Sequence, residues 1–159
     1  MNFEPKNKSD LIIWLLPKLK YKSKFFKIQK NPYYKYLKEE DIFHFFVVNI
    51  LRENDYNVIV LGKEGKKTNY EKYKHHVLGN IAGRSDIFVT KCNTTKGCFF
   101  ELKKSINVVF TQKLILKKSN HLHNQNDFLK AMESDGYVAL FIYPENIVDN
   151  FKYLFDINL

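Results

Sequence analysis

Apolar and polar positions alternate along the chain in periods that predict helices in some segments and strands in others. Between residues 39 and 53 the apolar residues recur every three or four positions, which is the spacing of one face of an α-helix. Three runs rich in β-branched or aromatic residues, at 56–61, 86–90 and 98–103, predict strands. Only a short turn at 93–97 separates the last two runs, so we expect those strands to pair antiparallel.

The second half of the chain continues with a helix, a strand and a further helix. The pattern predicts a helix at 122–134 that ends at Gly136, a buried strand at 137–143 and a last helix that begins at Pro144. Residues 105–118 combine apolar patches with lysines, and a hairpin excursion is one interpretation of them. The whole order predicts an α/β (α+β) fold in which helices flank a central mixed sheet.

Two lysine-rich segments show no such regular pattern. Residues 62–80 are predicted to form a long loop, and loops of that length are uncommon unless they have a function. Nearer the N-terminus a short helix is predicted at 11–16, whereas 21–31 is too rich in lysine for a core element and is interpreted as a basic arm or an irregular connection. We therefore divide the chain into a basic, aromatic-rich N-terminal arm or helix, 1–38, and one folded domain, 39–159.

The chain carries a strong positive charge. Its 159 residues include 26 lysines and arginines against 17 aspartates and glutamates, which gives a formal net charge of +9. Such a balance favours a polyanion as partner, such as DNA, RNA or anionic lipid. Arg52 and Arg84 are the only arginines, and lysine contacts phosphate as a point charge whereas arginine is suited to reading base edges. The composition therefore favours recognition through charge and shape.

Cysteine content and apolar run length bear on where the protein works. Cys92 and Cys98 are too few for the disulfide framework of a small secreted protein, so we expect both thiols to be reduced. The apolar run at 11–16 is far shorter than the roughly 20 residues that cross a bilayer. We expect an intracellular protein with no membrane partner.

Two acidic residues and a lysine lie where the predicted hairpin would bring them together. Asp86 begins one strand and Glu101 lies late in the next, so antiparallel pairing puts both carboxylates at one edge. Lys103 follows Glu101 by two positions and therefore points to the same face of the sheet. Divalent cations such as Mg²⁺ prefer oxygen ligands, can activate a water and can offset charge on a phosphate. The simpler alternative is a strand cap at Asp86 and a surface ion pair between Glu101 and Lys103.

The order and spacing of these three residues resemble the PD-(D/E)xK nuclease signature. Within that superfamily the chain is most similar to the VRR-NUC family of Holliday-junction-resolvase-like nucleases. The features that carry the resemblance are Gly83-x-x-Asp86, Phe100-Glu-Leu-Lys-Lys104 and Gln125. The similarity covers about residues 39–154 and implies a restriction-endonuclease-like αβββαβ core.

The resemblance implies a metal-dependent activity on DNA. The expected protein is an endodeoxyribonuclease that requires Mg²⁺, with Mn²⁺ as a substitute, cuts branched or junction DNA and acts as a homodimer in a compartment that contains DNA. The expected catalytic residues are Asp86, Glu101, Lys103 and Gln125. The expected metal ligands are Glu40, Asp86, Glu101 and the backbone carbonyl of Leu102. The expected DNA contacts are Lys66, Lys67, Lys72, Lys74, Arg84, Lys104, Lys113, Lys117 and Lys118.

Two of these assignments have a competitor in the sequence. Similarity to the family implies that its first helix supplies a glutamate to the metal site, and both Glu39 and Glu40 fit the apolar spacing. We prefer Glu40 because it agrees better with the expected helix end. Gln112 competes with Gln125, since the separation between Lys103 and Gln125 is longer than the family pattern leads us to expect.

The function has alternatives too. One is a site-specific nuclease of the restriction or homing type on the same fold, which the scarcity of arginine disfavours. Another is a non-catalytic DNA-binding module that keeps the fold, which the presence of every expected catalytic residue disfavours.

Overall fold

The structure is a computed structural model that describes residues 4–62, 68–78, 80–82, 86–93 and 96–159. Its helices are α1 (Lys8–Leu15), α2 (Ser23–Gln29), α3 (Glu39–Glu53), α4 (Asn69–Leu78), α5 (Ile106–Val109), α6 (Asn120–Ser134) and α7 (Ile147–Phe155). Its strands are β1 (Val58–Gly62), β2 (Asn80–Ala82), β3 (Ile87–Val89), β4 (Cys98–Leu102) and β5 (Val138–Ile142). None of the helices in these ranges has the length and apolarity needed to cross a membrane.

The strands form one mixed sheet in the order β2-β1-β3-β4-β5. Strand β1 runs parallel to β2, the β1–β3 and β3–β4 pairs are antiparallel, and β5 runs parallel to β4. The register sets Ile87 opposite Phe100 and Val89 opposite Cys98. The predicted antiparallel hairpin and the predicted mixed sheet flanked by helices are confirmed, and β2 is a strand that the sequence pattern did not predict.

Helix α3 is the central element of the main hydrophobic core and packs against α1, α4, β1 and β4. Its first turn is acidic, which favours a helix start because the N-terminal end of a helix carries partial positive charge. The carboxylate of Asp41 accepts the Lys38 N–H at 2.8 Å, which stabilises this start. After the helix ends, Asp55 adopts a left-handed φ of 65° that turns the chain into β1. The helix therefore presents its acidic start at one fixed end of the sheet.

The N-terminal segment contributes to the same core as α3. Its buried apolar residues are Leu11, Leu15, Leu19, Phe25, Ile28 and Leu37. The prediction that 21–31 has no core element is wrong, because helix α2 buries Phe25 and Ile28, three positions apart, while its lysines stay exposed. The Phe25 ring stacks on the Phe46 ring with centroids 5.2 Å apart. The division of the chain at residue 38 stays a prediction about domain organisation.

The predicted loop at 62–80 also contains a helix. Helix α4 covers Asn69–Leu78, and Val77 is its buried residue. Its tyrosines Tyr70 and Tyr73 precede Val77 at spacings of three and four, a helical pattern that the surrounding lysines obscured. The prediction of a loop is therefore wrong for this range, while residues 63–67 lie outside the described part of the chain.

A second, smaller core lies on the other side of β4 and β5. It contains Val109, Leu122, Leu129 and Phe141, and α6 is held over it by Leu122 and Leu129. The predicted end of this helix at Gly136 is confirmed, since Gly136 has a φ of 89° that favours glycine. Within the segment 105–118, the short helix α5 leads into a turn closed by a β-bridge between Phe110 and Leu116, so only part of that segment is a hairpin.

Candidate active site

Asp86 and Glu101 meet where β3 begins and β4 approaches its end. The Asp86 N–H donates to Oε2 of Glu101 at 3.3 Å, and Oδ2 of Asp86 accepts the Leu102 N–H at 2.6 Å. On its other side the Asp86 carbonyl accepts the Leu61 N–H from β1 at 3.0 Å. Because Asp86 is tied to both neighbouring strands, the pairing of the sheet itself sets the position of its carboxylate.

Lys103 shares this location with the two acids. Its Nζ lies 3.9 Å from Oε1 of Glu101, and its backbone N–H extends the parallel ladder by donating to the Ile142 carbonyl at 2.9 Å. Glu101 is 4% exposed and Lys103 is 6% exposed. The pair is therefore buried, and the alternative of a solvent-exposed ion pair does not describe it. A buried ion pair is costly to desolvate and is weak evidence of a purely stabilising role.

The electrostatics of the cluster disfavour two ionised acids. Burial raises the pKa of the Glu101 carboxyl, and the nearby Asp86 raises it further, while Lys103 opposes both effects. Burial likewise raises the pKa of Asp86, whereas the Leu102 N–H and Lys103 act to lower it. Among the residues that the structure describes, the Lys103 ammonium is the one cation that acts on these two acids. An additional cation would favour the ionised form of both carboxyls.

The structure separates the two candidate glutamates of α3. The negative charge of Glu40 raises the pKa of both Asp86 and Glu101, so Glu40 lies within electrostatic range of the cluster. Glu39 instead pairs with the exposed Lys104, with Oε2 and Nζ 3.7 Å apart. This placement favours Glu40, the residue preferred from the sequence, as the acid that accompanies Asp86 and Glu101.

Helix α6 brings Gln125 to the same cluster. Leu122, Gln125 and Leu129 are spaced by three and four positions, so the two leucines that hold α6 on the sheet also direct Gln125 towards it. Its Nε2 donates to Oε1 of Glu101. Its Oε1 is buried without a hydrogen-bond partner among the described residues. The competing Gln112 is exposed in the turn after α5.

These residues fit a hydrated divalent cation better than a closed metal cage. Within the described ranges, no group of three or more His, Cys, Asp or Glu side chains is placed to hold a metal ion. Mg²⁺ is commonly held by one or two carboxylates and keeps several waters, which need acceptors around them. Asp86 and Glu101 supply the carboxylates, and the unpaired Gln125 Oε1 is such an acceptor. For Leu102 the structure describes a donating N–H, and its carbonyl as a ligand stays a prediction.

The predicted DNA contacts divide into three groups. Lys72, Lys113, Lys117 and Lys118 are exposed, and so is Lys104, whose Nζ forms the exposed pair with Glu39. Lys74 is half-buried, and its Nζ lies 2.9 Å from the Asp41 carboxylate, so its charge is already paired. Lys66, Lys67 and Arg84 lie outside the described residues.

Glu145 is a positioning residue that the sequence pattern did not indicate. Its carboxylate accepts the Ser105 Oγ–H at 2.9 Å and the Ile106 N–H at 3.3 Å. These bonds fix the chain directly after Lys103 and Lys104 to the corner that follows β5. The two partners are forty positions apart, so no local pattern could have indicated them.

No family model, no curated protein and no solved structure matches this chain. The similarity to the VRR-NUC family therefore stays a prediction that rests on the residues named above.

Proposed function

We propose that the protein is a Mg²⁺-dependent endodeoxyribonuclease of the PD-(D/E)xK type, most similar to the VRR-NUC family. The observation that carries this proposal is the meeting of the buried Glu101 and Lys103 with the half-buried Asp86 at one edge of the sheet, with Gln125 bonded to Glu101. Burying charged side chains costs free energy unless they are paired or serve a function. Perturbed carboxyl pKa values are common in active sites.

The order of elements supports a restriction-endonuclease-like core. Helix α3, strands β1, β3 and β4, helix α6 and strand β5 follow one another as α-β-β-β-α-β. Helix α4 and strand β2 then form an insertion between β1 and β3, and α5 forms one between β4 and α6. In this order Asp86 directly precedes the second strand and Glu101 lies in the third, which supports the proposed likeness to the PD-(D/E)xK signature.

The side chains divide the work of phosphodiester hydrolysis. When bound, Mg²⁺ would lower the pKa of a coordinated water and offset negative charge on the phosphate. Asp86 and Glu101 would hold the cation, with Glu40 adding negative charge nearby. The Leu102 N–H orients the Asp86 carboxylate, and Gln125 orients that of Glu101. The Lys103 ammonium can donate to the attacking water or to a phosphate oxygen.

The charge of the protein supports DNA as the substrate. The exposed Lys104, Lys113, Lys117 and Lys118 follow the site along the chain, where they can contact phosphates on either side of the scissile bond. The chain has only two arginines, so we propose that it recognises the shape of DNA and not its base sequence. The proposed substrate is therefore branched or junction DNA. We further propose that the protein acts as a homodimer.

The direct test compares linear, flapped and four-way DNA of matched sequence, each incubated with the protein and Mg²⁺, Mn²⁺ or EDTA. Cleavage with either metal but not with EDTA, with preference for the branched substrates, is the expected result. The matched control is Glu133→Gln, an exposed acid on α6, which should cut like the wild type. Binding without cleavage of any substrate in either metal would overturn the proposal in favour of a non-catalytic DNA-binding module.

A further inference from the structure

Two large aliphatic side chains are exposed next to each other in the turn that follows α5. Leu114 is 69% exposed and Ile115 is 62% exposed. Isolated exposed apolar residues are ordinary, but an adjacent pair at the tip of a tight turn places most of its apolar surface in water. Such a pair is a candidate contact surface.

The backbone holds this tip in one conformation. The Leu114 N–H donates to the Thr111 carbonyl at 2.9 Å, and the Thr111 N–H donates to the Ile115 carbonyl at 2.8 Å. Leu114 has a left-handed φ of 57°, which glycine or asparagine adopts readily and leucine seldom does. A turn alone would not require an apolar residue at this position.

The base of the turn is fixed to the sheet beside the site. Phe110 and Leu116 form a β-bridge and pack on the smaller core. The Phe110 ring lies 6.3 Å from the Phe141 ring, and Phe141 is the register partner of Glu101 across the β4–β5 pair. The turn is therefore packed against β5 at the residue that pairs with Glu101.

Positive charge surrounds the apolar tip. Lys113, Lys117 and Lys118 are exposed on both sides of it, and the sequence holds no acidic residue between Glu101 and Asp127. This combination of apolar and positively charged side chains complements DNA. DNA has flat, stacked bases in its interior and anionic phosphates on its surface. Two side chains are also far less area than a stable protein dimer buries.

We propose that Leu114 and Ile115 form a wedge that enters between bases where duplex DNA is interrupted by a nick, flap or branch. The inference rests on the proposed function, since it names the feature by which that site selects its substrate. Apolar side chains that insert between two neighbouring bases must separate the stacked pair. The free energy of this separation is lowest where stacking is already interrupted. The lysines on both sides would hold the flanking phosphates while the tip enters.

The test uses DNA with 2-aminopurine placed at a four-way branch point, and an intact duplex of the same sequence, both in EDTA so that no bond breaks. The wild type should raise the 2-aminopurine fluorescence and bind the branch more tightly than the duplex. L114S/I115S should abolish the rise and reduce the branch-to-duplex affinity ratio by about tenfold. Ile13→Ser is the matched control, because Ile13 is equally exposed on α1 and should leave both readouts unchanged.

An unchanged affinity ratio in L114S/I115S would overturn the wedge, even where the wild type cleaves DNA and the proposed function stands. An equal loss of affinity for branch and duplex would also overturn it, because the pair would then be a general DNA contact. The reverse case is distinct: a fluorescence rise that depends on Leu114, in a protein that never cleaves, supports the wedge and overturns the nuclease proposal. Leu114-dependent binding to vesicles of anionic lipid, or Leu114-dependent dimerisation without a fluorescence rise, would assign the tip to another partner.

Discussion

The Asp86 backbone N–H donates to the Glu101 carboxylate at 3.3 Å, so one acid of the site positions the other. The carboxylate of Asp86 is in turn held by the N–H of Leu102, the residue after Glu101. Both bonds depend on the β3–β4 register. A shift of one residue in that pairing would turn Glu101 and Lys103 to the other face of the sheet and dismantle the site.

The first prediction concerns the two acids. Asp86→Ala and Glu101→Ala should each lower the cleavage rate by about a hundredfold or more, because each removes a carboxylate that we propose as a cation ligand. DNA affinity should stay near that of the wild type, since neither residue is expected to contact phosphate. Cleavage assays and fluorescence anisotropy measure the two effects, with Asp127→Ala, an exposed acid on α6, as control. Wild-type turnover in either variant would show that the site is wrongly assigned.

The second prediction concerns Lys103. Lys103→Ala should lose turnover while the metal affinity measured by calorimetry changes much less, because both carboxylates remain. Lys103→Arg should restore little, since a planar guanidinium cannot occupy the place of a compact ammonium in a buried cluster. Lys130→Ala, an exposed lysine on α6, should behave like the wild type. Turnover near the wild-type rate in Lys103→Ala would exclude a catalytic role for this residue.

The third prediction separates Gln125 from Gln112. Gln125→Ala should lower turnover about 10- to 100-fold, because the Glu101 carboxylate loses the amide that orients it. Gln125→Ala should also lower the affinity for Mg²⁺. A substitution that only destabilised α6 would not have this effect. Gln112→Ala should change neither quantity, since Gln112 is exposed in the turn. The opposite ranking of the two variants would reverse the assignment.

The fourth prediction links the site to stability. Because the Glu101 pKa is raised above its ordinary value of 4.5, the folded protein keeps a proton that the unfolded chain has lost. The metal-free protein should therefore lose stability as the pH rises above about 4.5 towards the raised folded pKa. Glu101→Gln removes this loss and should be more stable than the wild type at pH 8 by about 1–3 kcal/mol.

Urea unfolding in EDTA at pH 5 and pH 8 measures this difference. Groups that titrate outside the site affect the wild type and Glu101→Gln equally. The difference in their free energies of unfolding, called the gap below, therefore reports on the site alone. The gap should be small at pH 5 and should close at pH 8 when Mg²⁺ is added to the wild type. A gap that does not change with pH would show that Glu101 is ionised in the folded, metal-free protein.

The fifth prediction concerns DNA binding. Affinity measured by anisotropy should fall by about a hundredfold or more between roughly 50 and 200 mM salt, because lysines that bind phosphate displace counterions. Lys113→Gln and Lys118→Gln should each reduce the slope of log affinity against log salt concentration by about one. Lys152→Gln, on α7, is the control that should leave the slope unchanged. A flat salt response would remove nucleic acid as the partner.

Local pattern was sufficient for the elements whose burial is evident from their composition. Helix α3 has apolar residues on nearly every side and no competing lysine run, and its predicted bounds agree with the structure. The same signals failed for α2 and α4, where lysines surround a narrow apolar stripe. Phe25, Ile28 and Val77 are buried because other elements cover them, and coverage is a property of the whole fold.

The meeting of Asp86 and Glu101 could be predicted from local pattern, because a short turn makes neighbouring strands pair antiparallel and the side-chain period of a strand is two. The rest of the candidate site depends on how the elements pack together. Gln125 reaches Glu101 because the smaller core holds α6 over β4. The charge of Glu40 acts on both acids, whereas Glu39 pairs with Lys104, because α3 is packed against β1 and β4. These contacts join residues far apart in the chain. The free energy of packing selects which of the possible contacts form, and no local sequence pattern contains that information.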